Sequence, residues 1–275
     1  MMYILNMGFR KKIKKKVCDY LLTKDVFTSR KISDSKVNDI IKLVQPKELT
    51  IGNIRIGGNN DGGYLVPNDL DGIKYCFSPG VGNISKFEKE LSERKIKSFL
   101  TDFSVDKRFD DNPLIDFEKK FLGPITHKNY ISLKDWISSK INYDNESDFM
   151  LQMDIEGDEY DVLQSIDIAT LRKFRIILIE FHNVHYLFED FYHHKIAKIF
   201  KILSDNFFCS HIHPNNDVDF IVKSKNIIIP PVLEFSFLRK DRAKEIKKKD
   251  SFPVSLDQPN NPDKRDLSLP DCWFK

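Results

Sequence analysis

The chain has 275 residues, and its 44 basic and 41 acidic side chains leave a formal net charge of +3, which excludes the strongly basic surface of a dedicated nucleic-acid-binding protein. No apolar run approaches the ~20 residues that span a bilayer. The four cysteines are far apart and form no C-x-x-C pair, so neither a disulfide framework nor a zinc site is indicated, and a reduced, cytoplasmic protein is expected.

The first fifty residues predict a helical extension. Residues 10–16 read RKKIKKK and begin a basic amphipathic pattern whose apolar positions have helical spacing: Ile13, Val17, Tyr20 and Leu21. Such a helix either packs on its own domain, which is the interpretation we favour, or touches an anionic membrane surface. The lysines lack a matching run of aromatic residues, so nucleic acid is not an expected partner. A second helix is expected over residues 33–45.

Residues 51–66 combine a short strand with a glycine-rich turn. Ile54 and Ile56 alternate as in a strand, and two glycine pairs then flank a polar tip. Paired glycines permit positive φ and let a backbone approach a ligand, whereas a plain hairpin turn is the alternative. We predict that this turn closes over a cofactor and that its two charged residues bind a zwitterionic ligand. The predicted cofactor-binding residues here are Arg55, Asp61, Gly62, Gly63 and Tyr64.

A second glycine loop follows a predicted strand. The loop, SPGVGN at residues 78–83, precedes a helix and a further strand, and Asp102 then stands 22 residues beyond Gly80. This order of strand, glycine loop, helix, strand and acid is the nucleotide-ribose arrangement of Rossmann-type folds. Gly80, Gly82 and Asp102 are therefore candidate cofactor-binding residues.

Strands and helices alternate from about residue 70 to residue 240. The predicted strands lie at 73–77, 96–100, 125–131, 149–153, 175–181, 207–211 and 232–238. Helices are expected from Phe87, near Phe117, over 132–140, from Tyr160 and over 188–204. This alternation predicts an α/β fold with a mostly parallel sheet covered on both faces. We interpret the charged tail after Lys240 as an irregular extension that is either solvated or wrapped over the surface.

Acids and histidines follow the ends of three of these strands. They are Asp154 and Glu156, then Glu180 and His182, then His211 and His213. In open α/β sheets ligands bind beyond the carboxyl ends of the strands, so these residues are expected at a functional site. The alternative is that the acids only cap turns or bind a cofactor amine, and that His211 only packs.

Several of these segments resemble the FkbM-type S-adenosylmethionine-dependent methyltransferases. The resemblance rests first on DIEGDEYDVL at 154–163 and on IEFH at 179–182. The paired-glycine turn at 55–64 resembles the upstream element of one branch of the family. HPNN at 213–216 and VLEF at 232–235 are similar to its downstream end. The resemblance implies the class I methyltransferase fold, a Rossmann-like, doubly wound sheet of seven strands whose last strand is antiparallel.

The resemblance also assigns roles to residues of the second glycine loop. Gly80 and Gly82 match the cofactor loop, and Asp102 matches the acid that binds the ribose hydroxyls. One departure stands out, because Ser78-Pro79 replaces the usual acid before that loop. The charged residues of the upstream turn are the expected replacements in binding the methionine end of the cofactor.

These features predict an S-adenosylmethionine-dependent O-methyltransferase acting on a hydroxyl of a sugar or nucleotide sugar. The catalytic domain is expected over 51–240, between the N-terminal helical extension, 1–50, and the C-terminal irregular extension, 241–275. One alternative is a nicotinamide-dependent oxidoreductase, which is disfavoured because Ser85 occupies the third glycine position. The other is a non-enzymatic basic module, with at most peripheral membrane contact.

The chemistry of the acceptor sets the expected catalytic groups. A sugar hydroxyl has a pKa far above 7, so its attack on a methyl sulfonium needs a base, a metal ion or both. We predict Asp154 and His182 as catalytic residues. Two carboxylates and an imidazole suit Mg²⁺ or Mn²⁺. The predicted metal ligands are Asp154, Glu180 and His211, with His213 as the alternative to His211.

Overall fold

The computed structural model describes residues 13–24, 28–82, 86–106, 112–142 and 147–275. Its strands, in chain order, are β1 (Lys47–Leu49), β2 (Asn53–Ile56), β3 (Tyr64–Pro67), β4 (Tyr75–Pro79), β5 (Lys97–Thr101), β6 (Ile115–Glu118), β7 (Phe121–Gly123), β8 (Tyr130–Ser132), β9 (Phe149–Met153), β10 (Phe174–Phe181), β11 (Phe207–Pro214), β12 (Val222–Ser224), β13 (Ile227–Ile229), β14 (Leu233–Arg239) and β15 (Glu245–Lys248). Its helices are α1 (Asp34–Leu43), α2 (Lys86–Glu93), α3 (Leu133–Lys140), α4 (Glu159–Ser165), α5 (Ile168–Leu171) and α6 (Asp190–Asn206), and residues 13–22 are also helical. Short 3₁₀ helices span Val184–Phe188, Lys240–Arg242 and Asp271–Trp273.

Seven strands form one mixed sheet in the order β11-β14-β10-β9-β4-β5-β6. From β10 to β6 all neighbours run parallel, whereas β14, the last of these strands in the chain, is antiparallel to both β10 and β11. Seven strands with an antiparallel last strand are what the family resemblance implies. The architecture is therefore an α/β fold consistent with a methyltransferase. Two-stranded sheets are formed by β1-β15, β2-β3, β7-β8 and β12-β13.

The centre of the large sheet is apolar. All five residues of β9 and all eight residues of β10 are buried, the pattern expected of strands that are covered on both faces. Phe77 on β4 stacks on Phe99 of β5 with ring centroids 5.1 Å apart, and Trp136 of α3 packs edge-on against the ring of Phe77. Because parallel strands end at one edge, the loops after β4, β5, β9 and β10 lie side by side.

The sequence prediction fails at one edge of the sheet. The helical patch expected near Phe117 is strand β6, whose four residues are all half-buried and which pairs only with β5. An edge strand of mixed burial lacks the clear apolar period that identifies a strand. The strand expected over 125–131 is replaced by the short parallel pair β7-β8, and the sequence did not indicate the β12-β13 hairpin. The antiparallel pair β2-β3 is the hairpin given as the alternative for the paired-glycine turn.

The first fifty residues are not confirmed as a helical extension. Residues 13–22 and α1 are helical, but β1 pairs antiparallel with β15. The basic helix does not pack on the domain as expected, since Ile13, Val17 and Tyr20 are 48%, 51% and 62% exposed. Residues 10–12 of the basic run, like Ser85 and most of the loop 106–112, lie outside the described residues. No helix in the described part of the chain is long and apolar enough to cross a membrane.

The C-terminal tail wraps over the domain. Trp273 is fully buried, and Leu269 and Phe274 belong with it to the apolar cluster of the sheet. The indole N–H of Trp273 donates to the carbonyl of Ile228 at 3.0 Å. Of the two interpretations of the tail, wrapping is the observed one, and residues after 240 contribute to the core.

Candidate active site

The glycine loop after β4 is pressed against the end of β9. Gly80 has a φ of +80°, and a Cβ atom there would lie 1.4 Å from the carbonyl oxygen of Asp154, so only glycine fits. The Gly80 N–H donates to the Thr101 carbonyl at 2.9 Å, and the Asp154 N–H donates to the Pro79 carbonyl at 3.3 Å. These contacts bring the ends of β4, β5 and β9 together.

Asp102, just after β5, contacts the other side of this loop. Its Oδ2 accepts the Gly82 N–H at 3.0 Å, and its Oδ1 accepts the backbone N–H and the hydroxyl of Ser104, each at 2.7 Å. A carboxylate offers about four acceptor positions, so the three protein donors leave one for a ligand hydroxyl. The predicted partners Gly82 and Asp102 are therefore in contact, and their role in ribose binding stays a prediction.

The paired-glycine turn between β2 and β3 is held by its own backbone. A Cβ atom at Gly57 would lie 2.3 Å from the carbonyl oxygen of Gly62, and one at Gly63 would lie 2.3 Å from that of Gly58. Nε of Arg55 donates to the same Gly58 carbonyl at 2.6 Å. The glycines thus allow two backbone segments to pack closely, and the hydrogen bond from Arg55 to Gly58 stabilises the turn.

Three adjoining cavities form one cleft along this edge of the sheet, and Asp154 and Glu156 line all of them. A cavity of about 400 Å³ lies between Asp102 and the β7-β8 pair. A cavity of about 210 Å³ lies between the two glycine loops. The largest, about 490 Å³, lies beside the ends of β10 and β11. The predicted cofactor-binding residues that line the cleft are Asp61, Gly62, Tyr64, Gly80, Gly82 and Asp102, whereas Arg55 and Gly63 do not line it.

Glu88 is a site residue that the sequence prediction missed. It lies on α2, is 2% exposed and lines the cavity between the glycine loops. Its Oε1 is 2.5 Å from the hydroxyl of Ser78, the residue that replaces the usual acid. Its Oε2 is buried without a hydrogen-bond partner, and burial raises the pKa of the carboxyl group. The carboxyl group of Glu88, on α2, thus lies beside Ser78, where the usual acid is missing. Its spacing after Ser85 indicated only a helix cap.

His182 is positioned by a second buried acid that the sequence did not indicate. Its Nδ1 lies 3.0 Å from Oε1 of Glu159, which is fully buried and also accepts the Gly157 N–H at 3.0 Å. Because a carboxylate only accepts hydrogen bonds, Nδ1 of the neutral ring carries the proton and Nε2 keeps a lone pair. Nε2 lies 3.4 Å from Oε2 of Glu156 and 4.0 Å from Oδ1 of Asp154.

The surroundings of His182 and Asp154 raise the pKa values of both groups. Burial alone would lower the pKa of His182, but the hydrogen bond with Glu159 and the charges of Asp154 and Glu156 raise it overall. Burial raises the pKa of Asp154 to about 7, with the charge of His182 opposing that shift. A general base is most effective when its pKa lies near the working pH, and the pKa of Asp154 does so.

The three predicted metal ligands do not converge. In the part of the chain that the structure describes, two other groups of possible ligands do: Asp154, Glu156 and His182, and His211, His213 and Asp257. Glu180 instead accepts a hydrogen bond from Asn215 at 2.7 Å. The reason is topological, because β14 lies between β10, which carries Glu180, and β11, which carries His211. The predicted ligand set is thus divided by the fold, and the use of a metal stays a prediction.

Comparison with known protein families identifies part of this chain. A family model described as the methyltransferase FkbM domain matches residues 125–207, which include β9, β10 and the residues around His182. No match to a curated protein was found. The family match confirms, for residues 125–207, the FkbM resemblance drawn from the sequence and supports a methyltransferase in general.

Proposed function

We propose that the protein transfers a methyl group from S-adenosylmethionine to a hydroxyl group of a sugar. The observation that carries this proposal is the His182–Glu159 pair beside Asp154, in a cleft that also contains a glycine loop and Asp102. Neighbouring cavities for a cofactor and an acceptor, with a base between them, are what a methyl transfer to a hydroxyl needs.

The residues of the cleft fit S-adenosylmethionine. Asp102 retains an acceptor position for a ribose hydroxyl, and Phe121 and Tyr130 line the same cavity with rings that suit adenine. The unpartnered Oε2 of Glu88 suits the ammonium group of the methionine end. Gly82 has open space where a Cβ atom would stand, so backbone lines this part of the cleft. When bound, the cofactor supplies an electrophilic methyl group.

The protein's own residues then handle the proton. The cavity of about 490 Å³ is the proposed acceptor cavity, and an acceptor hydroxyl there passes its proton to Nε2 of His182, which the contact with Glu159 aims at that cavity. The resulting imidazolium is stabilised by the carboxylates of Glu159 and Asp154. Glu159 is a positioning residue, whereas His182 and Asp154 contact the reacting groups.

The charge of the acceptor cavity favours a neutral acceptor. Five of its lining residues are acids: Asp61, Asp154, Glu156, Glu180 and Asp217. None of its described lining residues is Lys or Arg. Lys264 pairs with Asp217 at 3.0 Å, but the other four acids would face the phosphates of a nucleotide sugar with no Lys or Arg among the described lining residues, and like charges at short range repel strongly. We therefore propose a sugar without phosphate groups, in preference to a nucleotide sugar.

A metal-assisted variant of this mechanism would use Asp154, Glu156 and His182, whose ligand atoms lie within 4.8 Å of one another. The tautomer of His182 set by Glu159 already serves a base, so we expect full activity in a chelator. The measurement is the methylation rate after chelation and after Mg²⁺ or Mn²⁺ is added back. A rate that falls with chelator and returns with Mg²⁺ or Mn²⁺ but not with Zn²⁺ would show that such an ion takes part in catalysis.

Peripheral membrane contact is a second proposal, for the N-terminal helix only. Its exposed apolar residues Ile13, Val17 and Tyr20 are interleaved with the lysines at 14–16. An exposed basic amphipathic helix of this kind lies on anionic bilayers. Co-sedimentation with anionic and with neutral vesicles tests it.

Two variants test the proposed binding of the cofactor. Asp102→Asn should weaken binding of both S-adenosylhomocysteine and 5′-methylthioadenosine about 10-fold or more, because it removes a charge-assisted hydrogen bond to ribose. Glu88→Gln should weaken only S-adenosylhomocysteine, because methylthioadenosine has no amino-acid end. Calorimetry with both compounds measures the two effects.

The wild-type protein is the reference for both variants. If it binds neither compound, the proposed function is wrong. If it binds both and Glu88→Gln weakens them equally, Glu88 supports the loop without contacting the ammonium group. Thermal unfolding of each variant separates a lost contact from a lost fold.

A further inference from the structure

A second group of ionisable side chains is buried outside the cleft. His211 and His213 lie two residues apart on β11, and Asp257 lies on the C-terminal tail. Their side chains are 2%, 7% and 4% exposed, and none of the three lines the cavities of the cleft. The proposed methyl transfer does not use them.

The three side chains point at one place. Oδ1 of Asp257 lies 2.8 Å from Nε2 of His211 and 3.5 Å from Nδ1 of His213. The two rings are close to parallel, with an interplanar angle of 15°. The other carboxylate oxygen, Oδ2, is already occupied, because it accepts the Val254 N–H at 2.7 Å. One oxygen and two ring nitrogens therefore converge, one from each residue.

The closest pair is not aligned as a hydrogen bond. Nε2 of His211 and Oδ1 of Asp257 are both buried and both without a hydrogen-bond partner, although they lie only 2.8 Å apart. An ion bound by both atoms would lie about 2.1 Å from each of them. With the two atoms 2.8 Å apart, the direction from each atom to the ion would make an angle of roughly 50° with the line that joins the two atoms. A nitrogen and an oxygen that lie this close without an aligned hydrogen bond fit two ligands of one ion.

We propose that His211, His213 and Asp257 bind one divalent transition-metal ion. Two imidazoles and one carboxylate are the donors that Zn²⁺ and Co²⁺ accept, and a water molecule would complete a four-coordinate site. Glu234 lies opposite His213 across the sheet, and burial raises the pKa of its carboxyl group. This ligand set replaces the one expected from the sequence, with His211 retained and the two cleft carboxylates left out.

Such a site would fasten the tail to the sheet. His211 and His213 come from the sheet edge, whereas Asp257 follows β15 and precedes the buried end of the tail at Trp273. The three ligands come together only when the tail is docked, so binding of the ion and docking of the tail are coupled. The ion has a structural role here, and the inference does not depend on the proposed methyl transfer.

The test is the metal content of the full-length protein, produced without a histidine tag. We expect about one equivalent of metal by mass spectrometry after dialysis against Zn²⁺, and a raised unfolding temperature compared with chelator-treated protein. Co²⁺ should give the visible absorption of a four-coordinate site. Absence of stoichiometric Zn²⁺ or Co²⁺ binding would overturn the proposal and leave the three residues as an ion pair.

Variants locate the ion. His213→Ala and Asp257→Asn should each abolish the Co²⁺ absorption, and Asp257→Asn changes the shape of the side chain least, so a folded protein is expected. Glu156→Gln, in the other group of converging ligands, is the matched control and should retain one equivalent. If Glu156→Gln loses the ion and Asp257→Asn keeps it, the ion belongs to the cleft and the proposal is wrong.

Discussion

Replacing His182 with alanine is expected to lower kcat for methyl transfer by about 10²- to 10⁴-fold, the contribution of a positioned general base. The affinity for S-adenosylhomocysteine should hardly change, because His182 lines the acceptor cavity and neither of the two cavities beside the glycine loop. The measurement is the initial rate with saturating acceptor, with calorimetry on the same preparations.

Glu159→Gln tests how His182 is positioned. Burial lowers the pKa of His182, and the hydrogen bond with Glu159 is the first of the interactions that raise it. A base must be deprotonated to act, so kcat rises with pH through its pKa. Removing the Glu159 carboxylate lowers that pKa, and the acid limb of the kcat profile should move to lower pH as the rate falls. A lower rate with an unmoved limb would assign Glu159 to the fold alone.

His194→Ala is the matched control, since His194 is exposed on α6 and lies outside the cleft. It should retain the wild-type rate. If His182→Ala is as active as this control, His182 is not the base. Asp154→Asn then becomes the decisive variant, because the pKa of Asp154, about 7, also suits a base.

The central part of the site could be predicted because its signals are local. Strands β9 and β10 are buried along their whole length, so both were visible as apolar runs, and each run ends in the polar residues that line the cleft. Asp154 and His182 are therefore brought to one edge by any parallel sheet that contains these strands in order. The contact of Gly82 with Asp102 follows from the same rule applied to β4 and β5.

The missed residues act across long distances in the sequence. Glu88 contacts Ser78 from a helix, and Asp257 meets His211 from the tail, so neither contact leaves a local pattern. The residues of the predicted metal site are separated for a related reason. Its ligands were chosen because they end strands, but the chain order of β10 and β11 does not show that β14 is inserted between them. The position of β14 in the sheet is set by tertiary packing, and the hydrophobic periodicity of the sequence does not reveal it.

Trp273→Ala is expected to lower the free energy of unfolding by about 3–5 kcal/mol, the usual effect of removing a large aromatic side chain from a core. Trp273 is fully buried and packs edge-on against Phe235 of β14, with ring centroids 6.0 Å apart. Its indole N–H also satisfies the Ile228 carbonyl. Urea unfolding, followed by far-UV circular dichroism, measures the change.

Two further variants test whether the loss of stability comes from the buried ring of Trp273 or from any change in the tail. Trp273→Phe keeps most of the ring but removes the indole donor, so a smaller loss of about 1–2 kcal/mol is expected. Leu256→Ala, at a position 42% exposed on the same tail, should change stability by no more than about 0.5 kcal/mol. If Trp273→Ala lowered the free energy of unfolding as little as Leu256→Ala does, the core would be stable without the packing of the tail. The full loss would instead show that the fold of the catalytic domain includes the last residues of the chain.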